Sequence, residues 1–310
     1  MRPATASAPG KFVVLGEHAV VFGKPAIALA IDKRFKCTVS ESGRFLLNGE
    51  PDNISKHPHI QYILKKHGMR NVSITTESDL PSGAGLGSSA ALCAALSCAV
   101  RSMIGESIKE KDVVKEAYDA EFYAQGIGSP MDTSASVHGG GVGLNIPDSG
   151  DIIWTIENNN QKWDVFNVNS PEMTFVIGYT GKRALTGPLV EKVRRYRESN
   201  SFAKDIVDEI GRVTLEGVKA LHQNDCVRLG ELMTEDHKLL SILGVSSPEL
   251  NRLVDASKIY SYGAKLTGAG GGGSMIALTD RPDKVSETIR LRGGNPIIVK
   301  TNVPGVKLEE

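Results

Sequence analysis

The sequence predicts an α+β protein of two domains, on three observations. Strand-like and helix-like segments follow one another without the strict β-α-β alternation that a doubly wound parallel sheet requires. The chain has 310 residues, against roughly 100–200 for a typical domain. Its composition, 40% hydrophobic and 23% charged, is that of a globular chain with material for a buried core, not of a disordered one.

Each element has its own signal. Apolar runs at 12–15 and 26–31 read as strands, separated by the polar, glycine-containing segment 16–24. Short strands at 35–40 and 44–47 flank a Ser42-Gly43 turn. Ile60, Ile63 and Leu64 recur at helical spacing, so a short helix falls within 53–68. Alternation at 72–76 marks a strand that leads to Asp79-Leu80-Pro81-Ser82. After a glycine-rich turn at 83–87, alanine propensity predicts a helix from Ser88 to Met103. A helix at 109–125 ends where Gly126 and Gly128 break it, and Pro130 suits the first turn of another that reaches Val137. Residues 138–144 begin a strand, and 148–160 are polar hairpin or loop.

A boundary near residue 165 divides the chain into 1–165 and 166–310. Beyond it, a strand at 173–179 precedes helices at 189–198, 203–223, 226–243 and 248–260. A strand–turn–strand over 264–278 surrounds the glycine run 270–273, and a helix at 283–291 with a strand at 296–301 completes the pattern. No repeat with a period of 20–50 residues is evident.

Charge narrows the partners. Lys and Arg number 36, as do Asp and Glu, so the chain lacks the broad basic field that holds nucleic acid or an anionic membrane. The longest apolar run, 90–100, is shorter than the roughly 20 residues a membrane span needs. No apolar leader precedes Pro9, and the four cysteines show no paired C-x-x-C spacing, so a soluble, cytoplasmic protein with free thiols is expected. Apolar helix faces in the C-terminal half serve a core or a homodimer equally.

Three stretches carry chemistry. The first is Asp79-Leu80-Pro81-Ser82-Gly83-Ala84-Gly85-Leu86-Gly87-Ser88-Ser89. Alternate glycines permit positive φ and a row of inward amides, and a helix beginning at Ser88 adds free N–H groups and its positive dipole end. That makes a phosphate cradle, with Ser88 and Ser89 offering hydroxyls to phosphate or Mg2+; the plainer reading is a flexible turn before a capped helix. No Walker A pattern occurs in the chain. The second stretch, Lys265 to Ser274, satisfies G-x-G-x-x-G at 268, 270 and 273, but a strand follows where a dinucleotide fold would start a helix. The third is Glu121 with Asp132, eleven residues on. Asp132 stands in the first turn of a helix, where the dipole favours a carboxylate. The pair could divide Mg2+ binding from orientation of an attacking hydroxyl; singly, Asp132 is an ordinary first-turn acid. Ala8-Pro9-Gly10-Lys11 and Gly16-Glu17-His18-Ala19-Val20-Val21-Phe22-Gly23 place polar groups inside apolar surroundings, which is costly unless they are bonded or meet a ligand.

Taken together in chain order, Ala8 to Lys11, the Pro81-to-Ala91 loop, the Glu121/Asp132 pair and Lys265 to Ser274 resemble the GHMP small-molecule kinases. The resemblance runs from near the N-terminus to about residue 278. It implies a two-domain α+β architecture with a nucleotide cleft between the domains, residues 1–165 binding ATP and 166–310 closing over it. The Gly16-to-Gly23 segment and Ser129-Pro130-Met131-Asp132 imply ATP-dependent phosphorylation of the 5-hydroxyl of mevalonate, in isoprenoid biosynthesis. Phosphomevalonate or another small alcohol is the alternative substrate. By motif position, Asp132 is the base or hydroxyl-orienting group, and Lys11 lowers the hydroxyl's pKa and neutralises developing charge. Pro81, Gly83, Ala84, Gly85, Leu86, Gly87, Ser88 and Ser89 hold the triphosphate, and Ser89 and Glu121 coordinate Mg2+. Glu17 and His18 line the substrate pocket. Thr180-Gly181-Lys182-Arg183 matches the family's basic stretch only loosely, with Arg183 the candidate for the mevalonate carboxylate because a guanidinium fork suits one. Two further readings compete: a non-catalytic ATP-responsive protein on the same fold, and a nicotinamide-dependent oxidoreductase resting on Gly268 to Gly273.

Overall fold

The computed structural model describes residues 2–126, 128–146, 151–158, 161–184 and 186–309. The Glu121-to-Asp132 connection and the 148–160 hairpin therefore pass through positions outside the described residues.

Strand β1 (Ala4–Leu15) pairs antiparallel with β2 (Ala26–Glu41) along almost its whole length. Two short strands, β3 (Leu46–Leu47) and β4 (Glu50–Pro51), precede helix α1 (Pro58–Lys66) and strand β5 (Val72–Ser78). Helices α2 (Ser88–Ile104), α3 (Glu110–Gln125) and α4 (Met131–His138) follow. Strands β6 (Gly141–Leu144), β7 (Ile152–Asn158) and β8 (Gln161–Asn167) complete the run of the first sheet. Along its edge opposite β1, β2 carries β6 and then β5.

A second, four-stranded sheet starts with β9 (Thr174–Tyr179). Four helices come next: α5 (Thr186–Ser199), α6 (Ser201–His222), α7 (Cys226–Ile242) and α8 (Pro248–Ser257). Strands β10 (Gly263–Thr267) and β11 (Ser274–Leu278), helix α9 (Pro282–Leu291) and strand β12 (Asn295–Lys300) finish this sheet in the order β10-β11-β9-β12. Strand β13 (Lys307–Leu308) then returns to pair with β1.

Two sequence expectations are corrected here. Residues 26–31 and 35–40 are one continuous strand, not two, because the polar junction is satisfied from outside it. The Arg34 guanidinium donates to Ser7 O, Ser7 Oγ, Pro304 O and Gly305 O at 2.7–2.9 Å. The strand predicted at 12–15 starts at Ala4, so Ala8-Pro9-Gly10-Lys11 lies inside β1. A register shift falls between Pro9 and Lys11; proline has no N–H for the ladder, and a bulge there re-aims the next side chain.

Helix α2 explains its alanines by position. Ala90, Ala91, Ala94, Ala95 and Ala99 are fully buried, and small side chains let the helix lie close against β1, β2 and α3. The largest core takes residues from both sheets, with Phe12 of β1 tilted against Phe175 of β9 at 4.8 Å between ring centroids. A smaller core lies among α5 to α9 and the second sheet. The four cysteines are free, and among the described residues no helix is long and apolar enough to cross a membrane.

Candidate active site

The bulge in β1 delivers Lys11 to the middle of the molecule. Its side chain is 5% exposed, and its Nζ lies 2.9 Å from Asp132 Oδ2, whose side chain is 44% exposed. A buried ammonium is thus held against a carboxylate open to a ligand. Asp132 occupies the first turn of α4 as expected, and Lys11 N donates to Leu86 O, tying β1 to the glycine loop.

That loop has the backbone its glycines suggested. Gly83, Gly85 and Gly87 have φ of 75°, 80° and 71°, conformations that L side chains rarely adopt. Gly87 is also the N-cap of α2, and among the described residues no side chain caps the helix. The first amides of a 17-residue helix are therefore left to an anion. A Cβ on Gly87 would fall 2.9 Å from Lys11 Cγ, so the glycine lets the lysine pass directly beneath the loop. The late glycine run closes from the other side, where Ser274 Oγ donates to Ala84 O at 2.8 Å. A strand follows that run, which removes the dinucleotide reading of Gly268 to Gly273.

His18 sits in a left-handed conformation with φ 60°, just before the 3-10 turn Ala19–Phe22. It is 5% exposed, and its Nε2 lies 2.9 Å from Ala269 O. A carbonyl only accepts, so Nε2 carries the proton; burial lowers the imidazole's pKa and keeps it neutral. Nδ1, buried and without a hydrogen-bond partner among the described residues, is left as an acceptor.

Glu17 requires a correction. Its side chain is 2% exposed and forms an ion pair with Lys265 of β10. Asp236 of α7, fully buried, lies 3.3 Å from the same ammonium. A carboxylate so enclosed does not line a pocket for a carboxylate-bearing substrate, and its effect is to anchor the segment that carries His18. Burial pushes the Asp236 carboxyl up to about 8; Lys265 opposes the shift and the Glu17 carboxylate adds to it. Sequence reasoning missed Lys265 and Asp236, although a lysine inside the apolar pattern of 263–267 was a visible signal of a buried partner.

Glu121, in the last turn of α3, meets side chains the sequence did not connect with it. Its Oε1 lies 3.0 Å from His59 Nε2 and 3.9 Å from Cys93 Sγ, and Gln125 Nε2 donates to Oε2 at 2.7 Å. Cys93 is one turn beyond Ser89 on the same face of α2. Ser88 and Ser89 at the start of α2, Glu121 of α3 and Asp132 in the first turn of α4 carry hard oxygen donors, the ligand type that Mg2+ takes. Arg183 is exposed, and its stem lies against the glycine loop: a Cβ on Gly83 would come 3.5 Å from Arg183 Cγ.

An ammonium–carboxylate pair under an uncapped helix start is the equipment of phosphoryl transfer, and the comparisons agree. Residues 55–140 match the GHMP kinases N terminal domain and residues 218–291 the GHMP kinases C terminal. A mevalonate kinase of Thermococcus sibiricus is 33% identical over 342 residues, with 98% of each chain covered. The chain belongs to the GHMP kinase family. Among solved structures, the mevalonate kinase of Methanococcus jannaschii is 27% identical, with a TM-score of 0.77 and coverage of 97% of this chain and 99% of that one. The mevalonate kinase of L. major, crystallised with R-mevalonate, has a TM-score of 0.83 at 22% identity, covering 98% and 97%. At that identity the likeness concerns the GHMP fold.

Proposed function

We propose that the protein transfers the γ-phosphoryl group of ATP to the 5-hydroxyl of mevalonate, giving 5-phosphomevalonate for isoprenoid biosynthesis. Full-length similarity to mevalonate kinases supports the substrate. The observation that carries the chemistry is Lys11 held 2.9 Å from Asp132 beneath the uncapped start of α2.

Phosphoryl transfer needs little covalent work from side chains, so positioning and electrostatics supply the rate. The amides of Gly83 to Ser88 and the dipole of α2 hold the triphosphate, with Pro81 shaping the turn's entry. Asp132 accepts the proton of the 5-hydroxyl and orients its oxygen for in-line attack. Lys11 stabilises the negative charge that grows on that oxygen. His18 accepts a substrate hydroxyl at Nδ1, and Arg183 takes the substrate carboxylate. Ser89 and Glu121 would hold Mg2+, which supplies charge neutralisation between the phosphates. In this reading residues 1–165 hold ATP, residues 166–310 close the cleft, and the enzyme works in the cytoplasm.

The test is a coupled ADP-release assay with mevalonate, phosphomevalonate, galactose and homoserine as separate acceptors. Mevalonate is expected to give the highest kcat/KM by at least about a hundredfold, a floor below the roughly 10⁴–10⁵-fold by which a site built to hydrogen-bond a substrate group rejects an analogue lacking it. A higher value for any other acceptor would overturn the assignment.

A further inference from the structure

The mechanism above uses Glu121 alone, yet this side chain belongs to a three-residue constellation. His59 comes from the first turn of α1, Cys93 from the second turn of α2 and Glu121 from the last turn of α3. One ligand atom from each, His59 Nε2, Cys93 Sγ and a Glu121 oxygen, lies within 4.8 Å of the other two. The oxygen–nitrogen and oxygen–sulfur separations are 3.0 and 3.9 Å. The edges of a tetrahedral zinc site with such ligands are about 3.3–3.6 Å, from metal–ligand lengths of about 2.0–2.3 Å. Small side-chain adjustments on three packed helices would therefore bring the atoms into register.

The surroundings also match a metal site. His59 Nε2 is buried and makes no well-directed hydrogen bond among the described residues, although the carboxylate is close. Gln125 donates to the other Glu121 oxygen at 2.7 Å, the kind of outer contact that orients a ligating carboxylate. The Cys93 thiol is fully buried, while the side chains of His59 and Glu121 are 22% and 16% exposed. Entry is thus from the histidine and carboxylate side, which leaves a fourth position for water.

We infer that His59, Cys93 and Glu121 form a binding site for a borderline-soft divalent cation of the zinc type, distinct in chemistry from a site for Mg2+. Imidazole and thiolate select such a cation over Mg2+, which takes oxygen ligands. On binding, the Cys93 S–H bond breaks, a sulfur–metal bond forms and the proton goes to solvent. Neutral imidazole, thiolate and carboxylate balance the two positive charges of the metal. Occupancy commits the Glu121 carboxylate to the soft cation, so the cation inhibits turnover; this consequence rests on the Mg2+ role proposed for Glu121, whereas binding itself does not.

Cobalt(II) tests binding without reference to activity, because a thiolate-ligated tetrahedral Co2+ gives a near-ultraviolet charge-transfer band and intense visible bands. The full chain, stripped with chelator, is titrated with Co2+ and then Zn2+. One equivalent is expected to generate the bands, and Zn2+ to abolish them. They should be absent in Cys93→Ser and His59→Gln and retained in Asp132→Asn, with circular dichroism confirming that each variant is folded. Absence of the band in the parent chain, or its persistence in folded Cys93→Ser, would overturn the site. In the ADP-release assay with excess Mg2+, Zn2+ should inhibit the parent at least tenfold more strongly than His59→Gln; equal inhibition would overturn the regulatory consequence. A cobalt spectrum without mevalonate-dependent ADP release would count against the kinase reading alone.

Discussion

The Lys11–Asp132 pair shows how one buried contact is made useful by unequal exposure. Lys11 is enclosed and Asp132 is open on one side, so the pair presents a carboxylate that a hydroxyl can reach and an ammonium already desolvated. A low local dielectric strengthens what that ammonium does for developing charge. Asp132→Asn keeps the shape and removes the proton acceptor. Its kcat is expected to fall about 10²–10⁴-fold, while the KM for ATP, for which backbone amides are the proposed holders, changes little. Turnover within tenfold of the parent enzyme would remove Asp132 from the proton-transfer role. The residue was legible in the sequence because its spacing from a helix start is local. The partner that sets its electrostatics was legible only as a motif, since 121 positions separate Lys11 from Asp132.

Helix α7 and strand β10 carry a second charge network with a readable pH signature. Asp236 faces Lys265 of β10 and Glu17 of the segment after β1. Its neighbour His237 is pushed down to about 4, chiefly by burial, with Lys265 and Lys258 lowering it further and Asp255 and Asn251 opposing. His237 Nδ1 accepts from Leu266 N at 3.2 Å, which requires the neutral ring. In the unfolded chain these groups titrate near 4 and 6.5. Between about pH 4 and 8 the folded state keeps a proton on Asp236 that the unfolded chain has lost, so this group makes stability fall as pH rises. His237 acts in the opposite sense between about pH 4 and 6.5, where the unfolded chain holds the extra proton. The two effects oppose each other on the acid side and leave a net decline from about pH 6.5 to 8. Asp236→Asn retains a neutral hydrogen-bonding group, and its thermal midpoint is expected to stay level across that window while the parent's falls. Parallel declines in the two proteins would assign the effect to another group. At this scale the elements themselves were largely legible, as α2, α3, α6 and α7 show. The joining of 26–31 with 35–40 was not, because the partners that satisfy Arg34 come from β1 and from residues 304 and 305.

Across the whole molecule, the two sheets share one core and several polar ties. Thr267 Oγ1 donates to Val13 O at 2.8 Å and accepts from Val13 N at 3.1 Å, joining β10 to β1. Ser274 meets Ala84, His18 meets Ala269, and Phe12 packs against Phe175. Strand β13 returns from the second half to the first sheet. Such coupling is expected to make unfolding a single cooperative transition, with calorimetric and van't Hoff enthalpies in a ratio near one. Two resolved heat-absorption peaks would show instead that residues 1–165 and 166–310 unfold independently. Residue 165 falls inside β8, and the chain passes from the first sheet to the second at 168–173. The shared core was invisible in the sequence, since apolar periodicity marks which face is buried and not what it is buried against.

Family and chemistry were determined by short stretches whose physics is local. Alternating glycines before a helix start free the backbone amides that can face an anion, and a first-turn aspartate has its dipole neighbour built in. Charges that lie far apart in the chain could be matched only by the folded structure. It alone put Glu17 against Lys265 and Asp236, withdrawing that carboxylate from the substrate, and it alone set Glu121 beside His59 and Cys93. Hydrogen bonds and ion pairs act over a few ångströms, and only tertiary packing brings residues so distant in sequence within that range.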